Sequence, residues 1–206
     1  MAGWFLSILI AASTPQALPP VDRCSADPSF VEFRERLRGA VAARDAASLL
    51  SLVADDIRIS FGDTGGREDF ARMWELDRPA TSRIWGELGE VLRLGCAPAE
   101  DGSLWAPSIG DQMSADEDPF SVVVVVREGA VLRSAPAANA AAVAPLAWDV
   151  LTVGSDRGED EWLPVTMRDG RSGFVHSSDV RSPLDYRAGF EKRGGSWRMI
   201  TFVAGD

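Results

Sequence analysis

The chain has 206 residues, of which 46% are hydrophobic and 25% are charged, values typical of a folded globular protein and not of a disordered or fibrous one. Acidic residues outnumber basic ones by 31 to 21, and the net charge of -10 repels polyanions, so nucleic acid is not an expected partner. The single histidine limits the catalytic schemes that the chain can support.

The first 20 residues predict a signal peptide. They carry no charged side chain, and their apolar run from Trp4 to Ala12 has signal-peptide length and is too short to span a membrane. No Lys or Arg precedes this run, and small residues at 11–13 and 17 offer cleavage sites. We therefore expect a periplasmic or secreted protein without a transmembrane segment after signal removal; the alternative is a buried N-terminal strand or helix.

In an oxidising compartment the two cysteines, Cys24 and Cys96, are expected to form a disulfide. The bridge would tie the mature N-terminus to the end of a helix. Two unrelated buried thiols are the alternative, and a lipid-modified Cys24 is disfavoured because residues 21–23 are not small and aliphatic. Two cysteines and one distant histidine cannot supply four zinc ligands, so we expect no metal and no cofactor.

Residues 22–97 predict a mainly helical domain. Apolar residues recur at intervals of three and four from Phe30 to Val41, which predicts a helix over 28–43 with Asp27 as its cap. Asp45 is expected to cap a second helix, and alternation over 57–61 indicates a short strand.

Residues 98–119 are rich in Pro, Gly, Ser and acidic side chains and predict an acidic linker or long loop. Asp111 and Asp116–Asp118 lack the evenly spaced oxygens and central glycine of a calcium loop, so a solvated acidic loop is favoured.

From Val122 onwards the pattern is strand and turn. Val122 to Val126 is an unbroken valine run, which must be buried on both faces or paired at an edge. Further short strands follow, and Asp169-Gly170 is a typical hairpin turn. Short strands at this spacing within about 60 residues predict a small barrel or sandwich.

Five pieces in order resemble the bacterial SH3-type domain over about 122–181. They lie at residues 129–136, 143–146, 148–153, 161–165 and 169–175. The chain departs from that family at Ser134-Ala135-Pro136, which replaces serine-glycine-proline, and at Trp148. The resemblance implies an SH3-like barrel over 120–182, and hence an α+β chain with a mainly helical N-terminal domain, this barrel and a C-terminal β-hairpin.

In the family this module commonly acts as a binding domain of envelope proteins. The resemblance therefore implies a non-enzymatic protein that binds a peptide, peptidoglycan or a protein ligand in the envelope. Its candidate binding residues are Trp148, Trp162 and Phe174. The alternative is that all three side chains are core.

Residues 183–206 predict a final β-hairpin that needs a sheet to join. It could extend the barrel. Its aromatic, Lys-Arg-Gly-Gly and Trp pattern is also similar to the last strands of the nuclear transport factor 2-like cone fold, which would make the barrel an insertion in a discontinuous first domain.

Catalysis finds little support in the sequence. Strand alternation sends His176 and Ser177 to opposite faces, so they do not form a nucleophile–base pair. Carboxylates at Asp55-Asp56 or Glu159-Asp160-Glu161 leave a hydrolase as the alternative function. A third alternative is an assembly protein that pairs through the edge of the valine strand or the hairpin.

Overall fold

The computed structural model describes residues 17–62, 65–154 and 161–205. The α-helices in these ranges are α1 (Pro28–Ala43), α2 (Ala46–Leu52), α3 (Gly66–Met73), α4 (Ile84–Arg93) and α5 (Ile109–Gln112). The strands are β1 (Val53–Arg58), β2 (Ala97–Pro98), β3 (Leu104–Ala106), β4 (Val122–Val125), β5 (Val131–Arg133), β6 (Ala142–Pro145), β7 (Val150–Val153), β8 (Trp162–Thr166), β9 (Ser172–His176), β10 (Val180–Arg181), β11 (Arg187–Arg193) and β12 (Ser196–Val203). They form two sheets, which confirms the α+β class.

Aspartates start the first two helices, as the sequence predicts. The Asp27 carboxylate accepts a hydrogen bond from the backbone N–H of Ser29, and Pro28 begins α1. The Asp45 carboxylate accepts from the N–H of Ser48 at 3.0 Å and so caps α2. Each cap satisfies a backbone donor that the first turn of a helix leaves without a partner.

The first sheet has the strand order β1-β12-β11-β3-β2, with the C-terminal hairpin β11–β12 inside it. β12 runs parallel to β1, with Val53 opposite Met199, and β11 runs antiparallel to β3, with Gly189 opposite Trp105. The predicted hairpin is therefore present, and it joins the helices of the N-terminal half. This sheet and the helices that pack on it form a first unit, which is discontinuous in sequence. It mixes helices with a sheet, whereas a mainly helical domain was expected, because the hairpin supplies two of the three interior strands.

Aromatic side chains form the core between α1 and this sheet. The Phe30 ring lies 5.4 Å from that of Phe190 and 5.1 Å from that of Trp197, measured between centroids. All three side chains are buried. Such pairs add about 0.5–1.5 kcal/mol each beyond the area they bury, so the helix and the hairpin stabilise each other.

Residues 98–119, expected to form a linker, contain ordered elements. β3 pairs with both β2 and β11, and α5 follows it directly. Leu104, Ala106 and Ile109 are buried. This stretch therefore completes the first sheet before the chain enters the second one.

The second sheet has the strand order β10-β4-β7-β8-β9-β5-β6. Within the described ranges no strand pairing joins β6 to β10, so the expected closed SH3-like barrel over 120–182 is wrong. Short strands joined by tight turns form an open antiparallel sheet as readily as a barrel, which is why the strand spacing alone did not distinguish them.

The valine run is buried on both faces, which is one of the two arrangements expected for it. Val123 and Val125 point into the core of the second sheet. Val122, Val124 and Val126 pack on the other side, in a core shared with Leu94 of the first unit. We call this cluster the shared core, because it joins the first unit to a second unit, which is built on the second sheet.

The start of the described chain is part of this junction. Ala17 pairs with Asp149, and the N–H of Leu18 donates to the carbonyl of Trp148 at 2.8 Å. Leu18 is buried in the shared core. Residues 1–16 of the predicted signal peptide lie outside the described residues, whereas residues 17–20 belong to the fold.

The Cys24–Cys96 disulfide is present, with its Cα atoms 5.6 Å apart and both side chains buried. Beside it, the N–H of Cys96 donates to the carbonyl of Val21 at 3.0 Å, and the N–H of Arg23 donates to the carbonyl of Cys96 at 2.8 Å. Gly95 has φ +80, and a Cβ there would collide with the Val21 backbone.

No helix in the described ranges is long and apolar enough to cross a membrane.

Candidate functional site

The candidate site is the outer side of strands β8 and β9 in the second sheet. Leu163, Val165 and Val175 point inward and are buried. Because side chains alternate along a strand, the residues between them face the other way. Trp162 and Phe174 on this outer side are half-buried. We call this side the aromatic face; it comprises Arg133, Trp162, Pro164, Thr166, Ser172, Phe174 and His176.

The register of the two strands places these side chains in rows. Trp162 lies opposite His176, and their rings meet edge to face with centroids 5.1 Å apart. Pro164 lies opposite Phe174, and Phe174 in turn lies opposite Arg133 on β5. Directly opposed and diagonal side chains on one sheet face lie within contact range, so these side chains line one strip of the sheet, which we call the ridge.

Gly173 allows β5 and β9 to approach closely beneath this ridge. A Cβ at Gly173 would lie 2.5 Å from the carbonyl oxygen of Arg133 and 2.9 Å from Cγ of Leu132. Any larger residue would push the strands apart. The glycine therefore removes a side chain at a point of close strand contact.

Two shallow concavities flank the ridge. One has a volume of about 250 Å³ and is lined by Arg133, Trp162, His176 and Asp179 among others. The other has a volume of about 600 Å³ and lies along Thr166, Ser172 and Phe174. The face therefore offers apolar ridges together with polar and charged groups, which suits an amphipathic ligand.

Trp148 lies elsewhere. It is half-buried, packs against the core shared by the two units, and has φ +62. Its carbonyl accepts the Leu18 N–H bond, so it serves the junction of the units. Of the three predicted binding residues, the structure brings Trp162 and Phe174 together and leaves Trp148 apart.

His176, Ser178 and Glu161 form a hydrogen-bonded group at one end of the face. Nδ1 of His176 accepts the backbone N–H of Ser178 at 3.2 Å and lies 2.7 Å from the Ser178 hydroxyl, while Nε2 lies 3.2 Å from Oε1 of Glu161. The contact arises because residues 177–179 turn as a 3-10 helix. Strand alternation separates His176 from Ser177, as expected, but it does not apply to Ser178.

The hydrogen bonds indicate what this histidine does. Since Nδ1 accepts a backbone N–H, the neutral imidazole carries its hydrogen on Nε2, and this N–H donates a hydrogen bond to Oε1 of Glu161. Nδ1 is the acceptor that caps the 3-10 turn. The group therefore fixes the imidazole against Trp162.

Sequence reasoning missed Pro164, His176 and Arg133 as members of this face. The signal for the first two was present, because the Asp169-Gly170 turn sets the register of β8 and β9. Arg133 joins them only through the pairing of β5 with β9, which no local pattern reveals. Within the described ranges, no three His, Cys, Asp or Glu side chains cluster in a way that could hold a metal ion.

No family model and no curated protein matches the chain. Among solved structures, it is similar to an NTF2-like protein of unknown function from Pseudomonas putida KT2440, with 14% identity, 87% of this chain and 84% of that chain covered, and a TM-score of 0.30. It is also similar to a protein of unknown function with a cystatin-like fold from Nostoc punctiforme PCC 73102, with 11% identity, coverages of 89% and 92%, and a TM-score of 0.29. An NTF2-like protein of unknown function from Shewanella oneidensis MR-1 matches with 10% identity, coverages of 86% and 97%, and a TM-score of 0.29.

The resemblance to the bacterial SH3-type domain is contradicted by the second sheet. That family implies a closed barrel, whereas this sheet is open over the described residues. The pieces that carried the resemblance mark turns and close strand contacts, such as Gly170 with φ +87 and Gly173 beneath the ridge. Any series of short antiparallel strands needs such positions, so they did not identify a family.

Proposed function

We propose that this chain is an exported, non-enzymatic protein of the cell envelope that binds an extended peptide, such as a cell-wall stem peptide, on its aromatic face. The observation that supports this is that the two faces of β8 and β9 both carry apolar side chains. Leu163, Val165 and Val175 already fill the core, yet Trp162 and Phe174 stand on the solvent side. Apolar rings placed there contribute little to folding, and such patches commonly mark interaction sites.

The spacing of the face favours an extended ligand. The two concavities lie at the row of Trp162 and His176 and at the row of Thr166 and Ser172, four residues apart along β8. Four residues of strand span roughly 13 Å, which is also the distance between side chains i and i+4 of an extended peptide. The Pro164–Phe174 ridge would contact the side chain between them.

The disulfide supports an oxidising compartment. Thiols of cytosolic proteins are kept reduced, whereas disulfides persist in the periplasm and outside the cell. Cys24 and Cys96 are both used in the bond. Together with the uncharged apolar leader, this favours export over a cytosolic location.

The hydrolase alternative gains no support from the described carboxylates. Asp55 pairs with Arg67 at 2.7 Å, and Asp56 pairs with Arg193 at 2.5 Å. Glu161 holds His176, while residues 159 and 160 lie outside the described residues. These ion pairs explain Asp55 and Asp56 without a catalytic role.

The strand-edge alternative loses both of its predicted edges. The valine strand β4 lies between β10 and β7, and the hairpin β11–β12 lies between β1 and β3. Neither has a free side in the described fold. Pairing with another chain would have to use different strands.

Binding is tested by co-sedimentation with isolated cell-wall sacculi and by titration calorimetry with soluble stem peptides. Trp162→Ala and Phe174→Ala should each weaken binding by roughly ten-fold or more, as expected for central aromatic contacts. Phe120→Ala is the matched control, because Phe120 is 56% exposed and lies outside the aromatic face. It should bind like the wild type.

Two results would contradict the proposal. One is equal binding by all three variants, and the other is full binding to glycan strands from which the peptides have been removed. Export is tested separately by expressing the chain with its leader and locating the product. An unprocessed cytosolic product would contradict the envelope assignment.

A further inference from the structure

A third concavity lies on the first unit, away from the residues of the aromatic face. Its volume is about 390 Å³, within the range of sites for small organic molecules. Most of its wall is apolar and is formed by Pro98, Trp105, Pro107, Ile109 and Pro183. None of these side chains takes part in the proposed peptide site.

Trp105 is held in a fixed orientation in this wall. It lies opposite Gly189 on β11, where a Cβ would come within 3.1 Å of the indole ring. Its Nε1–H donates to the Ser103 hydroxyl at 2.8 Å, and that hydroxyl donates to Asp101 at 2.6 Å. The ring is therefore pre-oriented before any ligand arrives, which lowers the entropy cost of binding.

The charged groups of the wall are not equivalent. Arg187 directs its donors to the carbonyls of Pro183 and Gly205, at 3.3 and 2.6 Å, and its guanidinium lies 5.5 Å from the centre of the Phe61 ring. Its role is therefore explained by contacts with the protein itself. An anionic ligand would have to compete with those carbonyls.

The acidic groups give the pocket its remaining polarity. Asp111 forms an ion pair with Arg23. Glu100 is exposed at the wall and makes no ion pair within the described ranges. Trp105 and Glu100 line the same pocket, and an indole face and a carboxylate each attract organic cations.

We propose that this pocket binds a small organic amine. Its apolar body would lie between Trp105 and the prolines, and its ammonium group would face Glu100. The proposal is independent of the peptide site, because the two sites share no lining residue.

The test uses the full chain and three probes of similar size that share a phenyl ring: phenethylamine, 2-phenylethanol and phenylacetate. Ligand-observed NMR titration should show saturable binding of the amine below about 10 mM. The amine should bind about three- to five-fold more tightly than the alcohol, and phenylacetate should bind most weakly. Glu100→Gln should remove the preference of the amine over the alcohol while leaving the alcohol unchanged.

A variant that fills the pocket gives a second test. Gly110 lines the pocket, and a Cβ built there meets no atom within 4 Å, so Gly110→Leu should fold and obstruct all three probes. Gly86→Leu is the matched control, because Gly86 is an exposed helical glycine outside the pocket with equally open surroundings. Tighter binding of phenylacetate than of the amine, or equal amine binding by Gly110→Leu and wild type, would overturn the proposal.

Discussion

Breaking the Cys24–Cys96 disulfide should lower the free energy of unfolding by about 4 kcal/mol. The bond joins residues separated by 72 positions. In the chain-entropy model a loop of this size removes about 15 cal/mol/K from the unfolded state, which is about 4 kcal/mol at room temperature. The hydrogen bonds of Val21 and Arg23 to Cys96 do not need the cross-link, so the loss is expected to come mainly from the unfolded chain.

Urea unfolding followed by tryptophan fluorescence measures this loss, with and without a reductant. With a urea m-value of about 2–3 kcal/mol/M, the midpoint should fall by roughly 1.5–2 M on reduction. The Cys24→Ala/Cys96→Ala double variant should resemble the reduced wild type and should not respond to the reductant. A midpoint shift below roughly 0.5 M would refute the loop-entropy reasoning.

Two substitutions test the packing and the electrostatics of the fold. Gly173→Ala should destabilise the protein by about 1–3 kcal/mol, because the added Cβ would collide with the neighbouring strand. Gly154→Ala is the control, since a Cβ there meets no atom within 4 Å and should change the stability little. Equal losses of stability in thermal unfolding of the two variants would contradict this reasoning. Asp22→Asn should cost about 2 kcal/mol at neutral pH, since it leaves the buried Arg34 guanidinium without its carboxylate. The hydrogen bonds from Arg34 hold the pKa of Asp22 below its ordinary value of 3.8, so this stabilisation is complete above that pH and is lost as the pH falls through the lowered pKa. The urea midpoints of wild type and Asp22→Asn should therefore converge on acidification, and a widening gap would contradict the assignment.

Local signals predicted the parts of the fold that depend on local chemistry. Asp27 and Asp45 cap helices because their carboxylates reach backbone donors two or three residues away. The valine run predicted either burial on both faces or pairing at an edge, because five consecutive apolar residues leave a strand no polar side, and the structure shows burial on both faces. In each case the deciding contacts lie within a few residues, or the composition itself excludes the alternatives.

The parts that failed depend on contacts between distant segments. β2 and β3 span two and three residues, too few for alternation to distinguish them from a loop. The strand that pairs with β3 to join them to the sheet is β11, which lies more than 80 residues later in the chain, at Arg187–Arg193. A linker was therefore the natural expectation for residues that complete a sheet only when the C-terminal hairpin arrives.

The candidate site shows the same division. Trp162 and Phe174 are on one face because both belong to a tight hairpin whose register follows from its turn. Trp148 was grouped with them because it is also aromatic and precedes a strand. Its actual place depends on Leu18, more than a hundred residues earlier, whose N–H bond and side chain draw Trp148 into the junction between the units.

Export and folding place different demands on the N-terminal segment, and together they narrow where the leader can end. Leu18 is buried in the shared core and Ala17 pairs with Asp149. Cleavage after residue 20 would therefore remove part of the folded protein. Loss of a buried leucine side chain alone costs about 2–5 kcal/mol. If the leader is removed as proposed, the cut must fall before Ala17, and the small residues at 11–13 are then the compatible positions. The Cys24–Cys96 disulfide would then fix the remaining segment to the first unit once the protein has left the cytosol.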